Sequence, residues 1–194
     1  MITVGLTGGI GSGKSYISRV FEELNIPLFK SDQQAKLAYQ NPDIQRDVIN
    51  LLGSKSIVEG QADTQYIASK IFDDENALIH LNAIIHPWLE KRFLAWTDSL
   101  SDYPYCIKEA AILFETDLYK KLDFTICVVA QEKLRISRVI DRDHTSEEEI
   151  KKRMTHQWSD EKKLSLADFV IQNNGELLLP QILAIHQHLI KLHK

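Results

Sequence analysis

Short apolar runs alternate along this chain with longer segments in which apolar residues recur every three or four positions, the spacing of a helix. The run from Asp123 to Val129 is mostly apolar, which is typical of a parallel strand buried on both faces. The pattern predicts five strands, at residues 2–7, at 26–29, at the start of 104–114, at 123–129 and at 168–171. Because predicted helices separate these strands, we expect a wound α/β sheet of about five parallel strands with helices on both faces.

Residues 41–100 contain no strand candidate. Three segments in this block have apolar residues at helical spacing, namely 44–52, 66–72 and 77–100. His86 and Pro87 interrupt the last of them, and because proline lacks an N–H we expect the helix to be kinked or to restart there. The block is predicted to be a helical insertion beside the sheet, within a single domain that spans residues 1–194.

The segment from Gly8 to Ser15 fits the pattern G-x-x-x-x-G-K-[ST], the signature of a phosphate-binding loop. It follows the first predicted strand directly and precedes a predicted helix at residues 16–24, the context that this motif requires. The alternative is a glycine-rich turn that matches by chance, and the flanking strand and helix count against it. We therefore predict a site for a nucleoside triphosphate. The helical insertion beside the sheet is then a natural place for an acceptor substrate to bind.

Each residue type in this loop has a physical task. Glycine permits positive φ and lets consecutive N–H groups converge on phosphate oxygens. Lys14 is expected to reach the β- and γ-phosphates, and the Ser15 hydroxyl to bind Mg²⁺. The residues predicted to bind the nucleotide phosphates are Gly8, Gly9, Gly11, Ser12, Gly13, Lys14, Ser15 and Tyr16.

Asp32 follows the second predicted strand and precedes a predicted helix. Ligands of open α/β sheets bind at the carboxyl ends of the strands, so an acid at this point can face the phosphate loop. Alternatively, Asp32 is a helix N-cap, because Ser and Asp both favour that position. We expect Ser31 to be able to provide the cap and leave Asp32 available, and both interpretations stay open.

Three arginines precede the last predicted strand. Arg135, Arg138 and Arg142 are spaced three and then four residues apart, so a helix would carry them on one face. Arg153 follows on the next predicted helix. Such a row suits a lid, at about residues 135–155, that closes over a triphosphate and stabilises charge on the transferring group. The alternative is a solvated helix face whose arginines pair with neighbouring acids, Asp141 and Asp143 among them.

Composition narrows the function classes. The chain has 194 residues and a net charge of −4, which argues against a general nucleic-acid surface, so an anionic substrate must be held by a local basic cluster. No apolar run reaches the length of a membrane span and the N-terminus shows no signal-peptide pattern, so we expect a cytoplasmic protein without membrane attachment. No obligate protein partner is evident.

The two cysteines, Cys106 and Cys127, each lie inside an apolar strand-like run. We expect both to be buried core thiols in a reducing compartment. A disulfide between adjacent strands is the less favoured alternative. No cysteine and histidine spacing of a metal site is present.

Several further segments occur in a fixed order along the chain. They are Gly5-Leu6-Thr7 before the loop, Leu81-Asn82-Ala83-Ile84-Ile85-His86-Pro87, Ile112-Leu113-Phe114-Glu115 with Leu118-Tyr119, Arg138 with Arg142-Asp143, and Ala167-Asp168 through Val170-Ile171 to Asn173-Asn174-Gly175. With these segments the chain resembles, nearly end to end, the dephospho-CoA kinases. These are the ATP-dependent enzymes of the last step of coenzyme A biosynthesis.

The resemblance implies transfer of the ATP γ-phosphate to the ribose 3′-hydroxyl of dephospho-CoA, with Mg²⁺ as cofactor. It also implies a P-loop kinase core, a helical acceptor-binding region and a lid. By resemblance, Asp32 is the base for the acceptor hydroxyl, and Lys14, Arg138 and Arg142 act with it in catalysis. His86 lies in the acceptor region, and Asn173 and Gly175 belong to a turn near the expected adenine pocket.

The chain departs from the family pattern at three points. Lys30-Ser31-Asp32 stands where family members usually have Asp-Ala-Asp, so only the second acid remains. Tyr16 replaces the usual Thr after the loop serine, and its backbone N–H is retained. Ala111 replaces a Pro that often precedes the Leu-Leu-Phe-Glu run, which we expect to affect only the local turn.

Other functions remain possible on the same core. A nucleotide or shikimate kinase would share the loop and the lid and differ in the acceptor region, and a non-catalytic nucleotide-binding module would share the loop alone. A GTPase switch is disfavoured, because the chain has no Asn-Lys-x-Asp motif and none of its eight glycines has an Asp three residues before it.

Overall fold

The computed structural model describes residues 1–72 and 74–193. The strands are β1 (Ile2–Gly8), β2 (Leu28–Lys30), β3 (Ile57–Val58), β4 (Gln61–Ala62), β5 (Tyr105–Glu109), β6 (Phe124–Val129) and β7 (Phe169–Gln172). The helices are α1 (Lys14–Glu23), α2 (Ser31–Ala38), α3 (Pro42–Leu52), α4 (Thr64–Ile71), α5 (Glu75–Asp98), α6 (Glu132–Asp143), α7 (Glu147–Thr155), α8 (Asp160–Leu164) and α9 (Leu178–His193). Short 3₁₀ turns lie at Ser54–Ser56 and Leu118–Lys121.

The main sheet has five strands in the order β2-β5-β1-β6-β7, and every neighbouring pair is parallel. This confirms the predicted α/β sheet. The central strand β1 pairs on both sides, with Val4 in register with Ile107 of β5 and with Phe124 of β6. The phosphate-binding motif therefore begins at the carboxyl end of the middle strand, where open α/β sheets bind their ligands.

Both faces of the sheet are covered. On one face, Ile17 and Phe21 of α1 and Ile182 of α9 pack with the strands in a fully buried apolar core. On the other face the backbone of Gly5 lies so close to Leu113 that a Cβ would overlap that side chain, and α8 contacts β6. Lys163 of α8 is buried there, and its Nζ lies 3.0 Å from a carboxylate oxygen of Glu115. The prediction of helices on both faces is confirmed.

The chain divides into two compact units. Met1–Lys30 and Leu100–Lys194 form the first, which we call the sheet unit, and Ser31–Ser99 form the second, the helical unit. In the helical unit, Val48 of α3, Ile67 of α4, and Leu81 and Ile85 of α5 pack into a separate apolar core. The helical unit begins at Ser31, ten residues before the predicted start of the insertion.

The prediction that residues 41–100 contain no strand was wrong. β3 and β4 pair antiparallel, with Ile57 opposite Ala62, and Glu59 and Gly60 make the turn with positive φ. Strands of two residues are too short to show an alternating pattern, so they could not be recognised from the sequence.

Of the two outcomes expected at Pro87, a kink or a restart of the helix, the restart does not occur. α5 continues from Glu75 to Asp98 with Pro87 inside it. The buried stripe of Leu81, Ile85 and Leu89 runs through this position, so the packing of one apolar face stabilises a helix that lacks one backbone donor.

Among the described residues, no helix combines the length and the apolar character needed to cross a membrane.

Both cysteines are free and buried, as predicted. Cys106 lies on β5 and Cys127 on β6, and β1 separates these two strands, so the alternative of a disulfide between adjacent strands is excluded. Burial raises the pKa of the Cys106 thiol to about 12 and that of Cys127 to about 11.

The burial of these thiols predicts their reactivity. At pH 8 these pKa values leave at most about one part in a thousand of either group as thiolate, the reactive form, and the surrounding core also excludes the reagent. We expect no reaction with a thiol-specific disulfide reagent in the native protein and two equivalents after denaturation. Reaction of either cysteine in native protein at the rate of a free thiol would contradict the burial described here.

Candidate active site

The phosphate-binding motif forms the loop between β1 and α1. Gly8 is the last residue of β1, and α1 begins at Lys14 with Gly13 as its N-cap. Gly13 has φ 99° and ψ 17°, and a Cβ at this position would overlap Nδ2 of Asn173. Only glycine combines this left-handed conformation with so close an approach. The helix start places backbone amides without intrahelical acceptors in the loop, which suits an anion.

Three successive carbonyl groups of the loop are bound by side chains of the sheet unit. The oxygen of Ile10 accepts from Nε of Arg135 at 2.9 Å, that of Gly11 from Nη1 of Arg138 at 3.5 Å, and that of Ser12 from Nδ2 of Asn173 at 2.8 Å. In a planar trans peptide the N–H points away from the C=O. Holding these carbonyls on the outside therefore turns the Gly11 and Gly13 amides to the inside, as in an anion-binding nest, while the Ser12 amide donates to the Gly9 oxygen at 3.1 Å.

Lys14, Ser15 and Tyr16 lie in the first turn of α1. Nζ of Lys14 donates to the carbonyl oxygen of Gly8 at 2.7 Å, so its ammonium group lies at the mouth of the loop. Ser15 is exposed, and the Tyr16 side chain is 57 % exposed. Because Tyr16 points to solvent, its replacement of the more usual Thr leaves the backbone of the turn undisturbed.

Arg138 and Asn173 form one group behind the loop. Nη2 of Arg138 donates to the backbone oxygen of Asn173 at 3.0 Å and to its Oδ1 at 3.1 Å, which leaves Nδ2 of Asn173 to bind Ser12. Asn173 is buried and Gly175, at φ 112°, forms the turn that follows it. The contact of Asn173 with the loop carbonyl was not foreseen, because it joins residues 161 positions apart.

The arginines of α6 have different surroundings. Arg135 is only 6 % exposed and its Nη1 lies 2.9 Å from Oδ2 of Asp160, so it is not part of a solvated face. Arg142, in the last turn, is exposed and pairs with Asp143, whose pKa is lowered by that hydrogen bond. Arg153 also reaches Asp143, at 3.5 Å. The alternative of a solvated, ion-paired helix face therefore holds for Arg142, whereas Arg135 and Arg138 contact the phosphate loop. The catalytic roles of Arg138 and Arg142 stay predictions.

Glu109 is a site candidate that the sequence reasoning missed. It ends β5, in register with Leu6 of β1 and with Lys30 of β2, and Ala110 N donates to the Leu6 oxygen at 3.1 Å. Two residues earlier, Ile107 lies in the core under α1, and strand alternation puts Glu109 on the same face. An acid at the carboxyl end of the strand beside the phosphate loop is the position from which P-loop enzymes hold Mg²⁺. The sequence signal that could have identified Glu109 is an acidic residue at the end of a mostly apolar strand.

Lys30 stands where the family usually has its first acid. Its Nζ lies 2.8 Å from Oε1 of Glu22 on α1, so the substituted cation has a partner within the sheet unit. The pair is half exposed and lies beside Glu109 at the edge of the sheet. Because Glu22 balances the charge of Lys30, we expect the Lys30–Glu22 pair to add little net charge beside Glu109.

Asp32 and His86 belong to the helical unit. Asp32 is exposed in the first turn of α2, and His86 is half buried on α5. The expected cap by Ser31 was wrong, because Ser31 is the first helical residue, and its buried Oγ makes no hydrogen bond to any residue that the structure describes. Asp32 is the acid in the first turn of α2. The partial positive charge of a helix N-terminus favours a negative charge at that position.

The oxygen groups of the sheet unit fit Mg²⁺. Ser15 offers a hydroxyl at the start of α1, and Glu109 a carboxylate at the end of the neighbouring strand. Mg²⁺ prefers hard oxygen ligands and takes one or two from protein, with substrate phosphates and water completing its octahedron. Residues 1–72 and 74–193 hold no cluster of three or more His, Cys, Asp or Glu side chains, as an all-protein metal cage would need.

A family comparison decides what kind of P-loop protein this is. The family model described as dephospho-CoA kinase matches residues 2–178. The chain belongs to the dephospho-CoA kinase family. A protein of Bacteroides fragilis named dephospho-CoA kinase is 35 % identical over 186 residues, which cover 95 % of this chain and 91 % of the relative.

Solved structures agree with this assignment at the level of the fold. A Thermus thermophilus protein, TT1252, is 30 % identical, with a TM-score of 0.85 and 96 % of each chain covered. The dephospho-CoA kinase of Campylobacter jejuni has a TM-score of 0.70 at 22 % identity and covers 99 % of this chain and 98 % of its own. The five-stranded parallel sheet of this family member is thus the sheet of P-loop kinases.

Proposed function

We propose that this protein transfers the γ-phosphoryl group of ATP to the ribose 3′-hydroxyl of dephospho-CoA and releases CoA and ADP. The observation that carries the proposal is the match to the dephospho-CoA kinase family over residues 2–178. A phosphate loop whose carbonyls are already turned outward supports the nucleotide half of the reaction. ATP and dephospho-CoA are the substrates, and we expect the reaction to take place in the cytoplasm.

Phosphoryl transfer depends on positioning and charge neutralisation more than on covalent catalysis. In the proposed reaction the loop amides and Lys14 hold the β- and γ-phosphates. Ser15 and Glu109 would hold Mg²⁺, which would supply neutralisation of charge on the phosphates. Arg138 lies behind the loop, where it supports Gly11, and we propose that Arg142 approaches the nucleotide as part of a lid over residues 135–155.

The acceptor half of the reaction is assigned to the helical unit. We propose that Asp32 accepts a hydrogen bond from the 3′-hydroxyl and orients its oxygen for in-line attack on the γ-phosphorus. The proton of the hydroxyl passes to Asp32 as the new P–O bond forms and the bond to ADP breaks. His86 is proposed to contact the acceptor from α5. Asn173 and Gly175 are proposed to border the adenine of ATP.

A panel of acceptors tests the proposal. ADP release is measured with ATP and Mg²⁺ in the presence of dephospho-CoA, AMP or shikimate, and without acceptor. We expect dephospho-CoA to give a kcat/KM at least about a thousandfold above the other two, because a site built to pair buried polar groups rejects acceptors that leave them unpaired. Equal or faster turnover with AMP or shikimate would reassign the acceptor, and absence of acceptor-dependent turnover would favour a non-catalytic nucleotide-binding module.

Replacing Glu109 by Gln tests the Mg²⁺ assignment. The amide has the same shape but no charge, so we expect the Mg²⁺ concentration for half-maximal rate to rise about tenfold, with most of the rate recovered at saturating Mg²⁺. Glu23→Gln is the matched control, since it makes the same change of charge at an exposed carboxylate in the last turn of α1. If Glu109→Gln shows the Mg²⁺ dependence of the control, Glu109 has no part in holding the metal.

A further inference from the structure

Ile10 of the phosphate loop is bound from outside by side chains that the reaction itself does not use. Its N–H donates to Oε1 of Gln157 at 2.8 Å, and its carbonyl oxygen accepts from Nε of Arg135 at 2.9 Å. Both backbone polar groups of one loop residue are thus held by side chains. Arg135 comes from α6, and Gln157 follows α7.

These two side chains are themselves fixed. Nη1 of Arg135 lies 2.9 Å from Oδ2 of Asp160, and Nε2 of Gln157 donates to the carbonyl oxygen of Ala111 at 3.3 Å. Arg135 and Asp160 have side chains that are 8 % and 29 % exposed. We call Arg135, Gln157 and Asp160 the Ile10 clamp.

The clamp fits the loop closely. A Cβ on Gly9 would overlap the guanidinium of Arg135, and a Cβ on Gly11 would overlap the backbone oxygen of Arg135. The Ile10 side chain packs against Ile136 and its neighbours between α6 and α7. The absence of a side chain at Gly9 and Gly11 thus makes room for Arg135, in addition to letting the loop approach a phosphate.

We propose that Arg135 and Gln157 are positioning residues for nucleotide binding. Gln157 fixes the peptide group between Gly9 and Ile10, and Arg135 fixes the one between Ile10 and Gly11. Because N–H and C=O point in opposite directions in a trans peptide, these contacts aim the Gly11 N–H into the loop. The Gly9 oxygen, turned the other way, accepts from Ser12 N at 3.1 Å.

A loop held in this way binds a triphosphate without first ordering its backbone. Binding that requires the loop to rearrange loses affinity by the cost of that ordering, whereas a preorganised set of donors does not. The clamp acts on the nucleotide only through Ile10 and Gly11. Its loss is therefore expected to weaken ATP binding without changing the affinity for the acceptor.

The test compares Gln157→Met with Gln181→Met. Gln181 makes the same kind of bridge elsewhere in the sheet unit: its Oε1 accepts from Gln172 N at 2.9 Å and its Nε2 donates to the Gln172 oxygen at 3.0 Å. Neither substitution changes charge. Methionine has room at position 157, because Gln157 lines a cavity of about 470 Å³ together with Met154 and Trp158.

The measurements are the dissociation constant of ATP with Mg²⁺, obtained by calorimetry without acceptor, and the hydrogen exchange rate of the Ile10 amide. We expect Gln157→Met to weaken ATP binding about tenfold, the effect of losing a hydrogen bond worth roughly 1.4 kcal/mol, and to speed exchange at Ile10. Gln181→Met should leave both within about twofold of wild type although it loses the same kinds of bond. Equal ATP affinity in the two folded variants would overturn the proposal.

Arg135→Lys provides a second variant that keeps the positive charge. Lysine carries its three N–H donors on a single nitrogen and lacks the planar fork with which the guanidinium reaches both Ile10 and Asp160, so we expect ATP binding about fivefold weaker than wild type. ATP affinity equal to wild type in this variant would overturn the role of Arg135. The inference rests on the proposed function only for the choice of ATP as ligand. If the protein binds ATP but fails to phosphorylate dephospho-CoA, the proposed function is contradicted. The effect of the Ile10 clamp on ATP binding can still be measured in that case, because the titration uses no acceptor.

Discussion

Replacing Asp32 by Asn is expected to lower kcat by about a hundredfold to ten-thousandfold, the usual contribution of a positioned acid–base group. Asparagine keeps the size of the side chain and can still accept a hydrogen bond from the 3′-hydroxyl, but it cannot take up the proton. Asp32 is proposed to act on the acceptor and is not among the residues proposed to hold ATP, so we expect the ATP dissociation constant, measured without acceptor, to change less than about twofold. Steady-state ADP release and ATP calorimetry measure the two effects.

Asp43→Asn is the matched control for this variant. Asp43 is the acid in the first turn of α3, so both substitutions remove a carboxylate from the N-terminus of a helix in the same unit. We expect the control to keep wild-type turnover and to match any loss of thermal stability. Turnover of Asp32→Asn near that of the control would exclude Asp32 as the essential base.

Gly13→Ala is expected to weaken ATP binding at least about a hundredfold, comparable with the loss of an oxyanion-hole donor in other enzymes. Alanine at φ 99° is strained, and its Cβ would displace Asn173 from the loop. That movement would release the Ser12 carbonyl and change the direction of the amide that follows it. Calorimetric titration with ATP and Mg²⁺ measures the effect.

Gly60→Ala separates backbone strain from the clash. Gly60 also has positive φ, at 76°, but a Cβ there meets no atom of the described residues within 4 Å. Alanine at either position costs about 1–2 kcal/mol of folding free energy from strain alone. We expect Gly60→Ala to keep its ATP affinity. If Gly13→Ala binds ATP as tightly as Gly60→Ala, the contact between Gly13 and Asn173 is not needed for the nucleotide site.

The loop and the sheet could be predicted because their signals are local. Gly8 to Ser15 carry a pattern whose spacing is fixed by phosphate chemistry, and the strands are short apolar runs between helical segments. The β3–β4 hairpin was missed because two residues cannot show a period. At Pro87 the sequence left a kink or a restart open, because it shows the missing donor but not the packing of the helix face that keeps α5 continuous.

The outer support of the loop could not be predicted, because it depends on contacts between residues far apart in the chain. Gln157 meets Ile10 across 147 positions, and Asn173 meets Ser12 across 161. Spacing placed Arg135 on a helix face with Arg138 and Arg142, but it could not show that Arg135 is buried and ion-paired to Asp160. Glu109 was missed for a similar reason, since the neighbour of β5 in the sheet is β1, which precedes it by about a hundred residues.

The product formed from dephospho-CoA, ATP and Mg²⁺ tests the central claim most directly. The reaction is separated by chromatography, and the product is identified by mass and by the position of its phosphate in ³¹P and ¹H spectra. We predict a product identical to CoA, phosphorylated on the ribose 3′-oxygen, with one ADP formed for each CoA. Phosphate on another atom of the acceptor, or no phosphorylated acceptor from folded protein that binds ATP, would contradict the account.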